Sequence, residues 1–237
     1  LARSKNVKIL ATLNIVLKES EIPQITEILC ELEWLGIHAV IIQDVGLARF
    51  IRKEFSSIRM HASTQLAIHN LEGVLVAGRM GFQQVVLARE LTAREIATIR
   101  KKAPPEIALE VFCHGSLCYS YSGLCFFSGA EDARSGNRGE CAYTCRKPYK
   151  ILNEPGHGFL FSMKDLNTTT DLNALVDAGV NTLKIEGRMK DSQYVASSVG
   201  LYKNQLDKIF GIPSTTNRDF EHDGQFGFQR EMTSLFV

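Results

Sequence analysis

The chain has 237 residues, 45% of them hydrophobic and 22% charged, with a net charge of +1. That balance suits a folded globular chain and excludes one that attracts nucleic acid or anionic membrane by overall charge; such binding needs a local patch. No apolar run approaches the roughly 20 residues of a membrane-spanning helix, and "LARSKNVKILATLN" has no secretory h-region. The expectation is a cytoplasmic protein without a membrane role. The absence of an initiator Met reads as a piece of a longer chain.

The elements alternate. "VKILATLN" (7–14) is a short strand. "ESEIPQITEILCELEWLG" (19–36) has helical spacing, with Ile22, Ile25, Leu29, Leu32 and Leu35 on one face and Gly36 at the C-cap position. "AVIIQD" (39–44) reads as a buried strand, "VGLARFIRKEF" as a helix and "IRMHASTQ" (58–65) as a strand. "NLEGVLVAGRMG" (70–81) is a helix closing on Gly81, and "QVVLARE" (84–90) is a strand. "TAREIATIRKKA" (92–103) is a helix with Thr92 and Glu95 at capping-box spacing, followed by the strand "IALEVFCHG" (107–115). Beyond a cysteine-rich stretch come the strand "GFLFSMKD" (158–165), a helix over 169–180, the strand "TLKIEGR" (182–188) and a helix over 194–210. Strict alternation with unbroken apolar strands predicts an α/β fold: a TIM-barrel-like parallel β/α barrel. Seven strand candidates fall short of a closed barrel, so its first strand–helix unit or units are expected to be missing. An open doubly wound sheet is the structural rival, without a GxGxxG turn to support it.

Each apolar run ends in polar side chains, and in a barrel those ends converge on one mouth. The candidate catalytic residues there are His61, Gln65, Glu90, His114, Lys164, Glu186 and Arg188. Any strand must leave its core, so one polar end means little; seven in succession favour a functional mouth. His114 reads equally as a site residue or a hydrogen-bonded structural histidine.

Five of the six cysteines fall within residues 113–145. Six residues separate Cys118 from Cys125, fifteen separate Cys125 from Cys141, and three separate Cys141 from Cys145. Four thiolates over this span can close one zinc site or one iron–sulfur cluster. Zinc sites favour two tight pairs, so the wide first gap suits a cluster, most simply 4Fe-4S, with zinc as the rival metal. Cys113 and Cys30 read as core residues. Five cations (Arg134, Arg138, Arg146, Lys147 and Lys150) stand against Glu140 over 134–150. They would stabilise an anionic cluster or hold phosphates, which makes Arg134, Arg138, Arg146 and Lys147 candidate RNA-binding residues; a solvated charged loop is the plain alternative. The aromatics between the cysteines (Tyr119, Tyr121, Phe126, Phe127, Tyr143 and Tyr149) could stack bases or shield a cluster from water.

"EVFCHGSLCYSYSGLCFFS" and "RSGNRGECAYTCRKPY", with "HASTQ", "VVLARE", "SMKDL" and "KIEGRMK" in order, resemble peptidase family U-32, the collagenase-like proteins. The likeness covers roughly residues 7–210. It implies a TIM-barrel-like catalytic domain over 1–212, with a cysteine-rich insertion at 113–150, and the start of a C-terminal region at 213–237. Relatives in this family act in hydroxylating tRNA, 23S rRNA or the ubiquinone ring, several with a four-cysteine cluster and some with prephenate as cosubstrate. "CAYTCRKPY" and "FSMKDLNT" look most similar to the rRNA-hydroxylating branch. Some relatives carry a cysteine where this chain has Asn167, which makes Cys145 the fourth ligand by implication. The resemblance therefore implies an enzyme supporting hydroxylation of a pyrimidine in rRNA or tRNA, with a protein partner supplying electrons. The alternatives are a peptidase, for which no HExxH or GxSxG motif is present, and a cluster-binding accessory protein for quinone hydroxylation.

Overall fold

A computed structural model describes residues 3–153, 156–188 and 190–212. Six parallel strands form a curled half-barrel: β1 (Leu10–Leu13), β2 (Ala39–Ile42), β3 (Met60–Ala62), β4 (Phe82–Val86), β5 (Ala108–Gly115) and β7 (Thr182–Glu186). They pair in the order β1-β2-β3-β4-β5, and β7 joins β5. The expected parallel α/β fold of TIM-barrel type is present as a partial barrel. One expected strand is not. Most of 158–165 lies outside the sheet, and only β6 (Leu166–Asn167) pairs, antiparallel, with the end of β5. The apolar side chain Phe161 packs instead on Tyr119, Phe127 and Tyr149, with ring centroids 5.0–5.4 Å apart. The expected C-terminal region at 213–237 lies outside the described residues.

The helices begin and end where local chemistry directs. α1 (Ile22–Leu35) has Pro23 in its first turn and closes on Gly36 at φ 59°. α2 (Val45–Glu54) is capped by Asp44, which accepts from the Leu47 amide at 2.8 Å. The second Asp44 oxygen accepts from the Leu17 amide at 3.0 Å, which fastens the β1–α1 connection beside β2. α3 (Leu71–Met80) is capped by Asn70 and stops at Gly81. α4 (Ala93–Arg100) carries the Thr92–Glu95 capping box. α5 (Phe127–Asp132) lies in the cysteine region, α6 (Leu172–Asp177) precedes β7, and α7 (Ser192–Ile209) follows it, with Asp191 accepting from the Tyr194 amide at 2.7 Å.

Alternation along the strands separates two faces. Val40 and Ile42, Met60 and Ala62, Val85, Leu109 and Val111 pack outward on Leu29, Leu47, Ile51, Val74, Ile96 and Ile99 of the helices. Each fully buried aliphatic side chain contributes about 1.5–3 kcal/mol, so this interface carries most of the stability. A smaller outer cluster joins Cys113, Leu172, Ile185 and Tyr202. The intervening residues face the concave interior, where the polar side chains His61, Gln84, Glu110 and Lys184 stand among apolar ones such as Ile41 and Val86.

Candidate functional site: a polar half-barrel beneath a cysteine loop

Four interior positions on adjacent strands are His61, Gln84, Glu110 and Lys184, all buried. Lys184 Nζ stands 3.1 Å from Glu110 Oε1, and the Gln84 amide donates to the other Glu110 oxygen. Burial lowers the Lys184 pKa, and the Glu110 carboxylate opposes that shift. Burial, with His38, Arg59 and Lys184 nearby, lowers His61 from 6.5 to about 3 and keeps it neutral. Its Nδ1 is buried without a hydrogen-bond partner.

Toward the mouth, Phe112 stands near two cations. The Arg89 guanidinium carbon is 3.9 Å from the ring centroid and Lys184 Nζ is 5.3 Å away. Arg89 Nη2 also lies 3.9 Å from Glu186 Oε2. Burial lowers the Arg89 pKa, whereas Glu186, Cys118 and Glu90 raise it, so Cys118 stands within the electrostatic reach of Arg89. Arg89 Nε is buried and has no hydrogen-bond partner.

The cysteine loop is fastened onto this mouth at successive strand ends. The Arg89 amide donates to Ser122 Oγ at 3.1 Å, and Glu90 Oε1 accepts from the Ser122 amide and hydroxyl at 2.8 and 3.1 Å. Gly123, at φ 75°, lies so close to the Gln65 carbonyl that a Cβ there would collide with it. Gln43, at the end of β2, donates to the Asn137 carbonyl at 3.2 Å. Arg138 donates to the Val16 carbonyl at 2.6 Å and to both oxygens of Glu21.

All six cysteines of the chain are free thiols; Cys113 is buried in β5 as expected, whereas Cys30 on α1, expected in the core, is exposed. Burial raises the Cys145 pKa, and the neighbouring Cys118, Cys141 and Cys125 raise it further, against Arg146. Cys118, Cys125 and Cys141 thus each lie within electrostatic range of Cys145. Gly136 lies beside Cys125 and Cys141: a Cβ built there would sit 3.9 and 4.0 Å from their Cβ atoms. Among the described residues, no three His, Cys, Asp or Glu side chains are close enough to hold a single metal ion. An all-thiol set of four cysteines on one loop has the donor chemistry of an iron–sulfur ligand set. The nearby amides fit too, since the Tyr143 amide donates to Cys141 Sγ at 3.4 Å.

The remaining expected site residues divide. Gln65 lies at the mouth with Oε1 buried and unpartnered, while Glu90 is occupied in holding Ser122. His114 is half-buried, its ring 5.8 Å from Tyr194 and 5.5 Å from Tyr202, with Nδ1 3.4 Å from the Tyr202 hydroxyl. Burial lowers its pKa. Glu186 accepts from the Arg188 amide, and the Lys164 and Arg188 side chains are exposed. Arg134 is exposed. Arg138, Arg146 and Lys147 instead make internal bonds. Arg146 binds the carbonyls of Leu117 and Met163 and the Ser162 hydroxyl, and Lys147 Nζ lies 2.7 Å from Asp132. The strand-end reading missed Gln84, Glu110 and Lys184. Their signal was an acid, an amide and a base inside otherwise apolar strands, all on the interior register.

The model of Peptidase family U32 matches residues 1–237. A 23S rRNA 5-hydroxycytidine synthase of Escherichia coli is 39% identical over 249 residues, covering 100% of this chain and 37% of that protein. A tRNA hydroxylation protein of Bacillus subtilis is 32% identical, covering 90% of this chain and 52% of that protein. A protein named collagenase from Porphyromonas gingivalis is 32% identical, covering 87% and 53%. The chain thus spans about half, or less, of the length of these relatives. A solved U32 peptidase overlaps 48% of this chain and 49% of that one, at a TM-score of 0.42 and 16% identity, too slight to add to the topology above. The chain belongs to peptidase family U32.

Proposed function

We propose that this chain forms the cluster-bearing half-barrel of a cytoplasmic enzyme that supports hydroxylation of a pyrimidine in rRNA, with tRNA as the alternative substrate. The observation that carries it is the seat of the four-cysteine loop on the mouth, where Ser122 bonds to the Arg89 amide and to Glu90 and Gly123 abuts the Gln65 carbonyl. Identity along the whole chain to a relative named for 23S rRNA hydroxylation supports the same reading. Cys118, Cys125, Cys141 and Cys145 hold an iron–sulfur cluster, which when bound supplies the one-electron chemistry that side chains lack. Arg89, with Nε unsatisfied and its charge shared with Glu186, binds the carboxylate of a small cosubstrate such as prephenate. Phe112, its ring 5.3 Å from Lys184 Nζ, stands next to the buried Lys184–Glu110 pair. His61, held neutral, accepts or donates a hydrogen bond and adds no charge. Exposed cations such as Arg134, Lys164 and Arg188 contact the RNA backbone. A separate protein partner supplies electrons.

Mass spectrometry of rRNA and tRNA nucleosides from a deletion strain tests this. The proposal expects one hydroxypyrimidine to disappear and to return on complementation. The collagenase-named relative favours a peptidase reading, which instead expects gelatin cleavage by the purified protein and unchanged nucleosides.

A further inference from the structure

The geometry points to Asn137 and Arg138 as positioning residues for the four-cysteine centre, fastening it to the first two βα connections. This inference rests on the cluster reading above.

The longest gap in the cysteine set is the fifteen residues between Cys125 and Cys141. A segment of that length held only at its ends leaves the two sulfurs loosely related, because each unfixed residue retains conformational freedom. The turn at 136–139 removes that freedom where it matters. A Cβ built at Gly136 would lie 3.9 Å from the Cys125 Cβ and 4.0 Å from the Cys141 Cβ, so the turn runs beside both cysteines. Asn137 Nδ2 then donates to the Cys125 carbonyl at 3.3 Å, while its own carbonyl accepts from Gln43 at the end of β2. Arg138 places Nη1 2.6 Å from the Val16 carbonyl and 3.0 Å from Glu21 Oε2, and Nη2 2.6 Å from Glu21 Oε1. Glu21 is itself fixed by the Lys18 amide at 2.7 Å. The turn therefore touches the first cysteine of the gap on one side and two strand ends of the barrel on the other.

A single exposed ion pair would fasten little. This contact is a two-pronged fork with a backbone carbonyl as third partner, the geometry that gives Arg–carboxylate pairs strength and direction. Chiefly through Arg138, the Glu21 carboxyl is lowered from 4.5 to about 2, so the latch stays charged at neutral pH. Both terminal nitrogens of Arg138 are occupied, so its charge is committed to the fold. Its role is to hold sulfur geometry through the turn.

The test is iron release from anaerobically reconstituted protein into excess chelator, followed by absorbance, with far-UV circular dichroism recorded on the same samples. R138M and E21Q are expected to release iron about 10–100-fold faster than wild type, the usual effect of removing a ligand's supporting contacts, with unchanged dichroism. R138K keeps the charge without the fork and is expected between them. E21Q alters only the surface partner, so it remains a test if R138M fails to fold. Wild-type release rates in both variants would overturn the inference. A wild-type protein that takes up no iron would overturn the cluster reading and this inference with it.

Discussion

The Lys184 ammonium and the Glu110 carboxylate meet at 3.1 Å inside the half-barrel, with side chains 5% and 0% exposed. Neither charge has water to retreat to, so each depends on the other. K184M is expected to destabilise the fold by about 3–5 kcal/mol, because it leaves the buried Glu110 carboxylate without its counter-ion. E110Q/K184M removes both charges and keeps an amide for Gln84, so most of that loss should return. Urea midpoints of wild type, E110Q, K184M and the double variant check this, and additive losses would show that the two groups do not act as a pair.

His61 makes stability depend on pH. Its ordinary value is 6.5 and its folded value about 3. Between those limits the unfolded chain binds a proton that the folded chain refuses, so stability rises with pH and is lost as pH falls. The expected loss from pH 7 to pH 5 is about 2 kcal/mol from this group. Glu21, at about 2 against 4.5, adds its own loss only below that range. H61Q should flatten the pH 7 to 5 slope in urea titrations; an unchanged slope would assign the dependence elsewhere.

Gly123 holds the loop against Gln65 with no space for a side chain. G123A combines the clash with a positive φ and is expected to cost about 1–3 kcal/mol. Limited proteolysis should show faster cutting within 116–126, while far-UV dichroism of the barrel persists.

Arg89 meets Glu186 and Phe112 in the mouth through its guanidinium and the cysteine loop through the bond from its amide to Ser122. R89M keeps that backbone bond and the bulk over Phe112 but removes the charge. It is expected to fold, to retain iron, and to abolish restoration of the hydroxylated nucleoside in a deletion strain. Full restoration would remove Arg89 from the chemistry.

Much of this architecture is legible in the residues. Gly36, Gly81 and the Thr92–Glu95 box mark helix ends because their chemistry is local. The parallel half-barrel follows from apolar strands alternating with amphipathic helices. The run at 158–165 misled because an apolar stretch looks the same whether it enters a sheet or a satellite aromatic cluster, and Phe161 does the latter. The basic flank misled differently. Charge is visible in a sequence, but its partner is not, and Arg138, Arg146 and Lys147 spend theirs on Glu21, backbone carbonyls and Asp132. The interior pair of Glu110 and Lys184 lies 74 positions apart in the chain, so only the β5–β7 register brings it together.

Iron and acid-labile sulfide analysis of the anaerobically purified chain, run beside single C118A, C125A, C141A and C145A variants, tests the account most directly. The account predicts about four irons with matching sulfide in the wild-type chain, as a cubane held by four thiolates requires, and loss of most of it in every variant. Stoichiometric zinc without sulfide, or iron content indifferent to those four cysteines, would contradict it.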